Sequence, residues 1–320
     1  MLRAIPGRLV AALVLLWIVL TLTFALLHLA PGDPTRLLVD PRVSPAQQAA
    51  LQHALGLDQS LPRQYFRWLG SIVLHGDWGV SFSHHEPVSG VIRTALPPTL
   101  ILTAGALLVQ YLMGIGCGVL AAQHHDRPLD HLIRLFTQTL YSLPVFWLGL
   151  MAILLLSQTL GWLPSGGMRS ALPLPGQSEF GDLARHLLLP ALVLGAGSAG
   201  RIVRLTRNSM LDVLQRDFVR TARAKGASSS RVLWVHGLRN IAPILIHAFG
   251  VSLPVLLSGA LVTEVVFAWP GLGRVTYDAI LARDYPLILA TTALAGALVV
   301  IGSLIAEWLH LLADPRLRDA

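Results

Sequence analysis

Cysteine is almost missing from this 320-residue chain, and the single Cys117 rules out an intrachain disulfide or a zinc site built on several thiolates. Its place inside an apolar run reads as a small buried hydrophobe. Charge is scarce as well: 13% of residues are charged, against about 25% in an ordinary soluble domain. With 54% hydrophobic residues and a mean hydropathy of +0.63, a soluble enzyme, a disordered chain and a collagen-like chain are all excluded. Lysine occurs once, as Lys225 between Ala224 and Gly226. The phosphate cradle G-x-x-x-x-G-K-[ST] therefore cannot be built, so any ATP and its magnesium must sit on another chain. His84-His85-Glu86 and His124-His125-Asp126 lack the i, i+4 or H-E-x-x-H spacing of a zinc enzyme and read as surface clusters. Transient contact with a metal-bearing substrate is the lesser reading of the first cluster. Residues 195–200 spell G-x-G-x-x-G, but inside an apolar run with no strand before them. They read as a close-packing surface between helices, as do Gly114 and Gly118. Ser198 has alanine at 196 and so lacks a nucleophile-elbow context. No catalytic residue, bound cofactor or metal ligand is expected.

What the chain has is long apolar runs. A bilayer core about 30 Å thick asks for about 20 apolar residues per helix. Five runs answer: Leu9–Ala30, Thr99–Ala122, Leu135–Gly161, Asn240–Thr263 and Pro286–Ala306. A sixth, Leu183–Leu205, spans if Arg185, Arg201 and Arg204 snorkel or face protein. The expected fold is an all-α integral membrane protein of about six helices, with the first run kept as an uncleaved span. Net charge is +7, which in a soluble protein would raise nucleic acid as a partner. In a membrane chain the same excess belongs to cytoplasmic loops, so lipid is expected as a contact and nucleic acid is not. Both termini are placed in the cytoplasm. That choice puts most of the 24 basic residues inside, including the dense series from Arg201 to Arg239.

The organisation expected is residues 1–30 as an N-terminal segment and first helix, 31–98 as an extracytoplasmic loop, 99–312 as the core with a cytoplasmic loop 207–239, and 313–320 as a cytoplasmic tail. In the outer loop, Ser44-Pro45-Ala46-Gln47 has the form of a capping box and Gly56 is placed to end its helix. A further short helix over Pro62–Leu74 would put Tyr65, Trp68, Leu69, Ile72 and Val73 on one face, suited to the membrane interface. In Arg207–Arg239, Leu211, Leu214, Phe218 and Ala222 recur at helical spacing, Gly226 interrupts, and Ser228–Ser230 offers caps for a new helix. It reads as helix, glycine turn, helix. Either it sets topology and touches headgroups, or it docks a cytoplasmic partner. Glu264 and Glu307 at helix ends, and His28 and His247 deeper in, are the ionisable groups of the spans. They mark a permeation path, or for the two glutamates a position near water. Prolines 144, 190, 243 and 254 would bend or break spans.

The stretch Asp217–Asn240, DFVRTARAKGASSSRVLWVHGLRN, resembles the EAA loop of permease subunits from binding-protein-dependent ABC importers. Val266-Phe267-Ala268-Trp269-Pro270-Gly271-Leu272-Gly273-Arg274, the later Arg283-Asp284-Tyr285-Pro286 and the closing Asp314-Pro315-Arg316 resemble the dipeptide/oligopeptide/nickel branch. Pro31-Gly32-Asp33-Pro34, Leu55-Gly56-Leu57-Asp58 and Gly76-Asp77-Trp78-Gly79 with Glu86-Pro87-Val88 are similar to the outer loop of its B-type subunit. In the EAA pattern a glutamate, two small residues and, six positions after the glutamate, a glycine form the coupling helix and its turn. Here they fall on Arg220, Thr221, Ala222 and Gly226, with arginine in place of glutamate.

The resemblance implies a transport subunit of the bacterial inner membrane that is not itself an enzyme. It further implies a homologous second permease, two cytoplasmic ATPases that bind ATP and magnesium, and an extracytoplasmic solute-binding protein. Asp217, Arg220, Thr221, Ala222, Lys225 and Gly226 would form the coupling loop. Glu264, His247, Trp269, Pro270 and Gly271 are the candidates for the pathway or its gate. Peptide is the favoured cargo, with nickel or another small solute as the alternative. An ion-gradient-driven carrier or channel would need more intramembrane charge for coupling and weak internal repeats, neither of which is evident. A membrane enzyme has no acid-base pair to use, and a scaffold is compatible with the docking loop alone.

Overall fold

The structure is a computed structural model that describes residues 5–29, 53, 58–172 and 178–313. The expected capping box at Ser44–Gln47, its stop at Gly56 and the tail 314–320 lie outside the described residues. Ten helices are used below: α1 Ile5–Leu29, α2 Leu61–Gly70, α3 Val88–Gln123, α4 Pro128–Ser142, α5 Val145–Ala152, α6 Glu179–Leu214, α7 Asp217–Ala224, α8 Ser229–Val266, α9 Leu272–Leu281 and α10 Tyr285–Ala313. Wider π-type turns extend α2 over Ser71–His75 and α5 over Ile153–Thr159, and one lies within α8 at Val232–Gly237. Among the described residues the only β pairing is an isolated antiparallel bridge, Val80 to Pro87.

Among the described residues, five helices are long and apolar enough to cross a bilayer: α1, α3, α6, α8 and α10. The expected span Leu135–Gly161 is not one straight helix. It is broken into α4 and α5 with a bend of 105°. The cause is local: proline disfavours the α conformation at the residue before it, and Leu143 sits at φ −82°, ψ 141° ahead of Pro144. Pro190, Pro243 and Pro254 do not act alike, since each remains inside a continuous helix. The apolar run of α6 was short, yet Asp182, His186 and most of its apolar residues are buried, so this span is sheathed by protein.

The chain divides into two compact units. One comprises residues 99–270 with the chain from Leu298 on; the other comprises residues 2–98 with Gly271–Ala297. In the first unit α6 is the central element and packs against α4, α5 and α8. Leu102, Ala106, Leu107, Ala191, Leu194, Leu256, Ala260 and Trp269 form one core cluster, and Val119, Ile202, Met210, Leu233, Ile241 and Leu245 form another. Small residues let the backbones come this close. A Cβ on Gly118 would stand 2.9 Å from the Val203 carbonyl oxygen, and one on Gly195 would stand 2.5 Å from that of Ala106. Gly114 meets Ile202 and Gly200 meets the Thr137 carbonyl in the same way, so the G-x-G-x-x-G letters serve packing.

The second unit holds α1, α2, the 79–87 hairpin, α9 and the start of α10, around Val88, Val91, Ala279, Tyr285, Leu287 and Ile288. The face of α2 assigned to the membrane interface is instead partly spent on protein. The Tyr65 hydroxyl lies 2.8 Å from Thr21 Oγ1, and the Phe24 ring meets those of Tyr65 and Trp68, while Val73 stays exposed.

One polar contact in the first unit has no counterpart in the hydropathy pattern. Arg207 Nε donates to Asp130 Oδ1 at 2.8 Å and Nη2 to Oδ2 at 2.6 Å, a two-pronged pair with the carboxylate fully buried. Arg134 approaches the same carboxylate at 3.3 Å and the Asp126 amide donates to it at 3.1 Å. Taking one partner away leaves the other charge buried and unmatched, a loss of about 3–5 kcal/mol. Asp130→Ala should therefore lower the thermal unfolding midpoint of the detergent-solubilised protein markedly more than Arg134→Ala, whose side chain is partly exposed. Equal midpoints for the two variants in a fluorescence-detected melting assay would contradict this account.

Candidate coupling and pathway sites

The charged loop folds as helix, glycine turn, helix, but begins later than its charges imply. Arg207 to Leu214 continue α6, and the break falls at Gln215-Arg216, where Arg216 is extended at φ −77°, ψ 150°. Leu211 and Leu214 thus belong to one helix, Phe218 and Ala222 to the next. In α7, Val219 is fully buried, while Asp217, Arg220, Thr221, Arg223 and Lys225 are exposed. Arg220 and Asp217 approach at 3.7 Å, with both side chains largely in solvent, so the contact contributes little.

The stop signal is built from backbone. Gly226 has φ +84°, its N–H donates to the Arg223 carbonyl at 2.9 Å, and the Ala227 N–H reaches back to Ala222 at 3.0 Å. This is the left-handed glycine cap that satisfies the last carbonyls of a helix. No atom lies within 4 Å of a Cβ placed there, so conformation, not space, demands glycine. Ser228 then starts α8, its hydroxyl accepting from the Arg231 N–H at 3.4 Å.

The pathway candidates are not all brought together. Glu264, near the end of α8, is fully buried and accepts from the Thr99 hydroxyl at 2.6 Å, so the position near water does not hold for it. The Trp269 N–H donates to the Glu264 carbonyl at 2.8 Å and its side chain is fully buried. Between them Ala268 takes a left-handed φ of 49°, closing the corner, while Pro270 is exposed and Gly271 caps α9. His247 is exposed on α8, about 25 Å from Glu264 along the helix at 1.5 Å per residue. The side chain of Glu307 lies outside the described residues.

Two polar constructions escaped the sequence reading. In the second unit, Asp284 Oδ2 accepts from the Ser81 hydroxyl at 2.5 Å, the Ser83 amide at 2.9 Å and the Ser83 hydroxyl at 2.8 Å. Its Oδ1 accepts from the Leu287 N–H at 3.3 Å, the position of a helix N-cap on α10. The cap was legible in Asp284-Tyr285-Pro286, but its grip on the hairpin was not. In the first unit, Arg201 Nη2 donates to the Ser252 hydroxyl at 2.7 Å. His84 Nδ1 lies 3.2 Å and 3.0 Å from the hydroxyls of Ser81 and Ser83, and no group of three metal-ligating side chains occurs among the described residues. A cavity of about 380 Å³ in the second unit is lined by Phe24, His28, Arg67, Trp68, Trp78 and Tyr285 among others.

Burial pushes the Asp284 carboxyl up, but the hydrogen bonds from Ser81, Ser83 and Phe82 outweigh it and hold the group below its usual range. A depressed carboxylate stabilises the fold above its unfolded pKa of about 3.9 and loses that contribution as pH falls through the folded value. Asp284→Asn should thus lower the melting midpoint near neutral pH by the equivalent of about 1–3 kcal/mol. The gap to the unaltered protein should close as pH is taken from about 5 toward about 3. A gap that is constant across that range would refute the assignment.

Apolar helices long enough to cross a membrane, with α6 largely buried among them and a short helix with exposed charged side chains after it, define a helical membrane component. The family described as "Binding-protein-dependent transport system inner membrane component" matches residues 114–319, and its N-terminal companion matches residues 1–103. The chain belongs to this family of inner-membrane components of binding-protein-dependent transport systems. It is 40% identical over 299 residues to the oligopeptide transport system permease protein AppB of Bacillus subtilis (strain 168), covering 92% of this chain and 93% of that one. It is 40% identical over 313 residues to the di/tripeptide transport system permease protein DppB of Pseudomonas aeruginosa (strain UCBPP-PA14), covering 93% of each. The glutathione transport system permease protein GsiC of Salmonella paratyphi A (strain ATCC 9150 / SARB42) is 38% identical over 318 residues, 99% of each. A chain of the MetNI methionine ABC transporter in an inward-facing conformation shares the fold, with a TM-score of 0.52 at 18% identity over 69% of this chain and 97% of that one. The protein is accordingly a multi-pass inner-membrane permease subunit of an ABC importer and not an enzyme, ATP hydrolysis being carried by separate subunits.

Proposed function

We propose that this chain is one of two homologous permeases forming the membrane pathway of an importer for short peptides, with α7 seated on a cytoplasmic ATPase. The observation that carries the coupling role is α7 itself. It is a single exposed helix of eight residues, held by Val219 beneath and ended by the left-handed Gly226. A helix so short is marginal alone, and its fixed stop keeps it rigid enough to transmit a push. Arg220, Arg223 and Lys225 make its exposed face basic, which matches an acidic groove on the partner.

The same reading places both termini in the cytoplasm, because the basic series flanking α7 then lies inside. Peptide cargo is supported by the relatives, which are named for oligopeptide, di/tripeptide and glutathione transport. A second permease, a pair of ATPases and an extracytoplasmic binding protein complete the assembly. ATP favours the closed ATPase pair, and docking through α7 passes that preference to the helices. Glu264, Thr99 and Trp269 brace the corner at the end of α8, on the gate side of the pathway, and Pro270 and Gly271 lead from it into α9.

Purification of the tagged chain in mild detergent should bring down a second permease and Walker-A-containing ATPases, identified by mass spectrometry. Gly226→Val forces a β-branched residue to φ > 0 at about 1–2 kcal/mol. It should leave insertion intact, shed the ATPases and cut peptide uptake by about tenfold or more. Peptide uptake by the Gly226→Val variant equal to that of the unaltered protein would sink the coupling argument.

A further inference from the structure

Arg201 lies in α6, but its guanidinium does not run toward the end of the membrane. It donates to Ser252 at 2.7 Å, and Ser252 falls at the middle of the charge-free run Asn240–Thr263. Tyr111, at the middle of the run Thr99–Ala122, joins the same cluster: its hydroxyl interacts with the Ser252 side chain and lies 3.3 Å from the Leu245 carbonyl. One helical turn before Arg201, the Ser198 carbonyl accepts from Gln110 Nε2 at 3.2 Å. Gln110 Oε1 is buried with no partner. Ser252 thus offers the cation a polar partner at the midpoint of its run, where snorkelling cannot relieve it, with Tyr111 close by.

A cation at that depth is expected to face an acid or a water-filled path. The three buried acids described in the first unit have other partners: Asp130 has Arg207 and Arg134, Asp182 has Ser170 and His186, and Glu264 has Thr99. Among the described residues none forms an ion pair with Arg201. Ser252 takes one guanidinium nitrogen and passes its own proton to the Ala248 carbonyl at 2.9 Å. Guanidinium carries five N–H donors in a planar fork, so an edge suited to a carboxylate is left over. Beside the cluster, an apolar cavity of about 500 Å³ is lined by Tyr111, Ile115, Leu245, Ile246 and Phe249. Tyr111 therefore links the cation to a space of side-chain dimensions.

We propose that Arg201 is the anion-recognising residue of the transport pathway, receiving the C-terminal carboxylate of a peptide as it crosses the middle of the membrane. This rests on the peptide-importer reading given above. Every linear peptide carries that carboxylate whatever its side chains, so one cation reads a feature common to the whole cargo class. The neighbouring apolar cavity accepts the variable part.

The test is uptake by the complete complex in proteoliposomes, with its own binding protein, of a dipeptide and of the same dipeptide as its C-terminal amide, each at saturating concentration. Arg201→Gln should lower transport of the acid by about tenfold or more and that of the amide by less than about twofold. The binding protein is unchanged between the two complexes, so a shift in the acid-to-amide ratio arises in the permease. Arg201→Lys, which keeps the charge without the fork, should fall between. Equal loss of acid and amide would overturn the proposal and assign Arg201 to helix packing. An unchanged ratio with full transport would overturn it too. If the unaltered complex hydrolyses ATP but moves neither peptide nor amide, the peptide-importer reading falls first.

Discussion

A buried charge needs a partner, and the Asp130–Arg207 pair, with its carboxylate fully buried, is where this protein meets that constraint most directly. The pair joins the start of α4 to the end of α6, and α6 in turn packs against α4, α5 and α8. A two-pronged guanidinium to carboxylate contact fixes angle as well as distance. The point where α6 leaves its neighbours is thereby set, and the break at Gln215-Arg216 follows at once. The proposed coupling helix α7 follows this anchored end in the chain, a connection through which the coupling proposed above would reach the long helices.

The second unit solves its own problem with hydroxyls instead of cations. Asp284 caps α10 and binds both serines of the 79–87 hairpin, so one carboxylate orders a loop and a helix start together. His85 at φ 56° and Arg283 at φ 51° sit on either side of that junction. Left-handed residues that are not glycine need neighbours to hold them, and the fan of hydrogen bonds around Asp284 supplies those neighbours. Within the first unit a similar corner occurs at Ala268, where the Trp269 N–H donates to the Glu264 carbonyl and the Ala268 N–H to that of Val265.

Much of the fold was legible because hydropathy and glycine act locally. Four of the five apolar runs, and the shorter run Leu183–Leu205, gave helices long enough to span, and Gly226 with Ser228 marked the turn and the new cap at the positions where they occur. The motifs of Asp217–Asn240 and Val266–Arg274 point to the family by themselves. Other features were misplaced for physical reasons. Charge made Arg207 look like loop, since sequence does not show that Asp130 waits for it in a neighbouring helix. Of the four prolines expected to bend or break spans, Pro144 does so through the preference it imposes on Leu143, while Pro190, Pro243 and Pro254 stay inside continuous helices, a difference the letters alone do not carry. The α2 face looked suited to lipid because aromatic rings fit an interface and a protein neighbour equally well.

The order of amino acids was enough to set the solvent the helices live in, their lengths, the glycine stop of α7 and the absence of an ATP site, since each depends on composition or on contacts within a few residues. Helix packing chose which polar groups meet: Asp130 with Arg207, Asp284 with Ser81 and Ser83, Glu264 with Thr99, Arg201 with Ser252. These pairs join residues far apart in the chain, and nothing in the periodicity of either partner encodes the other. In a low-dielectric interior an unmatched polar group is costly, but only the packed helices settle which match it finds.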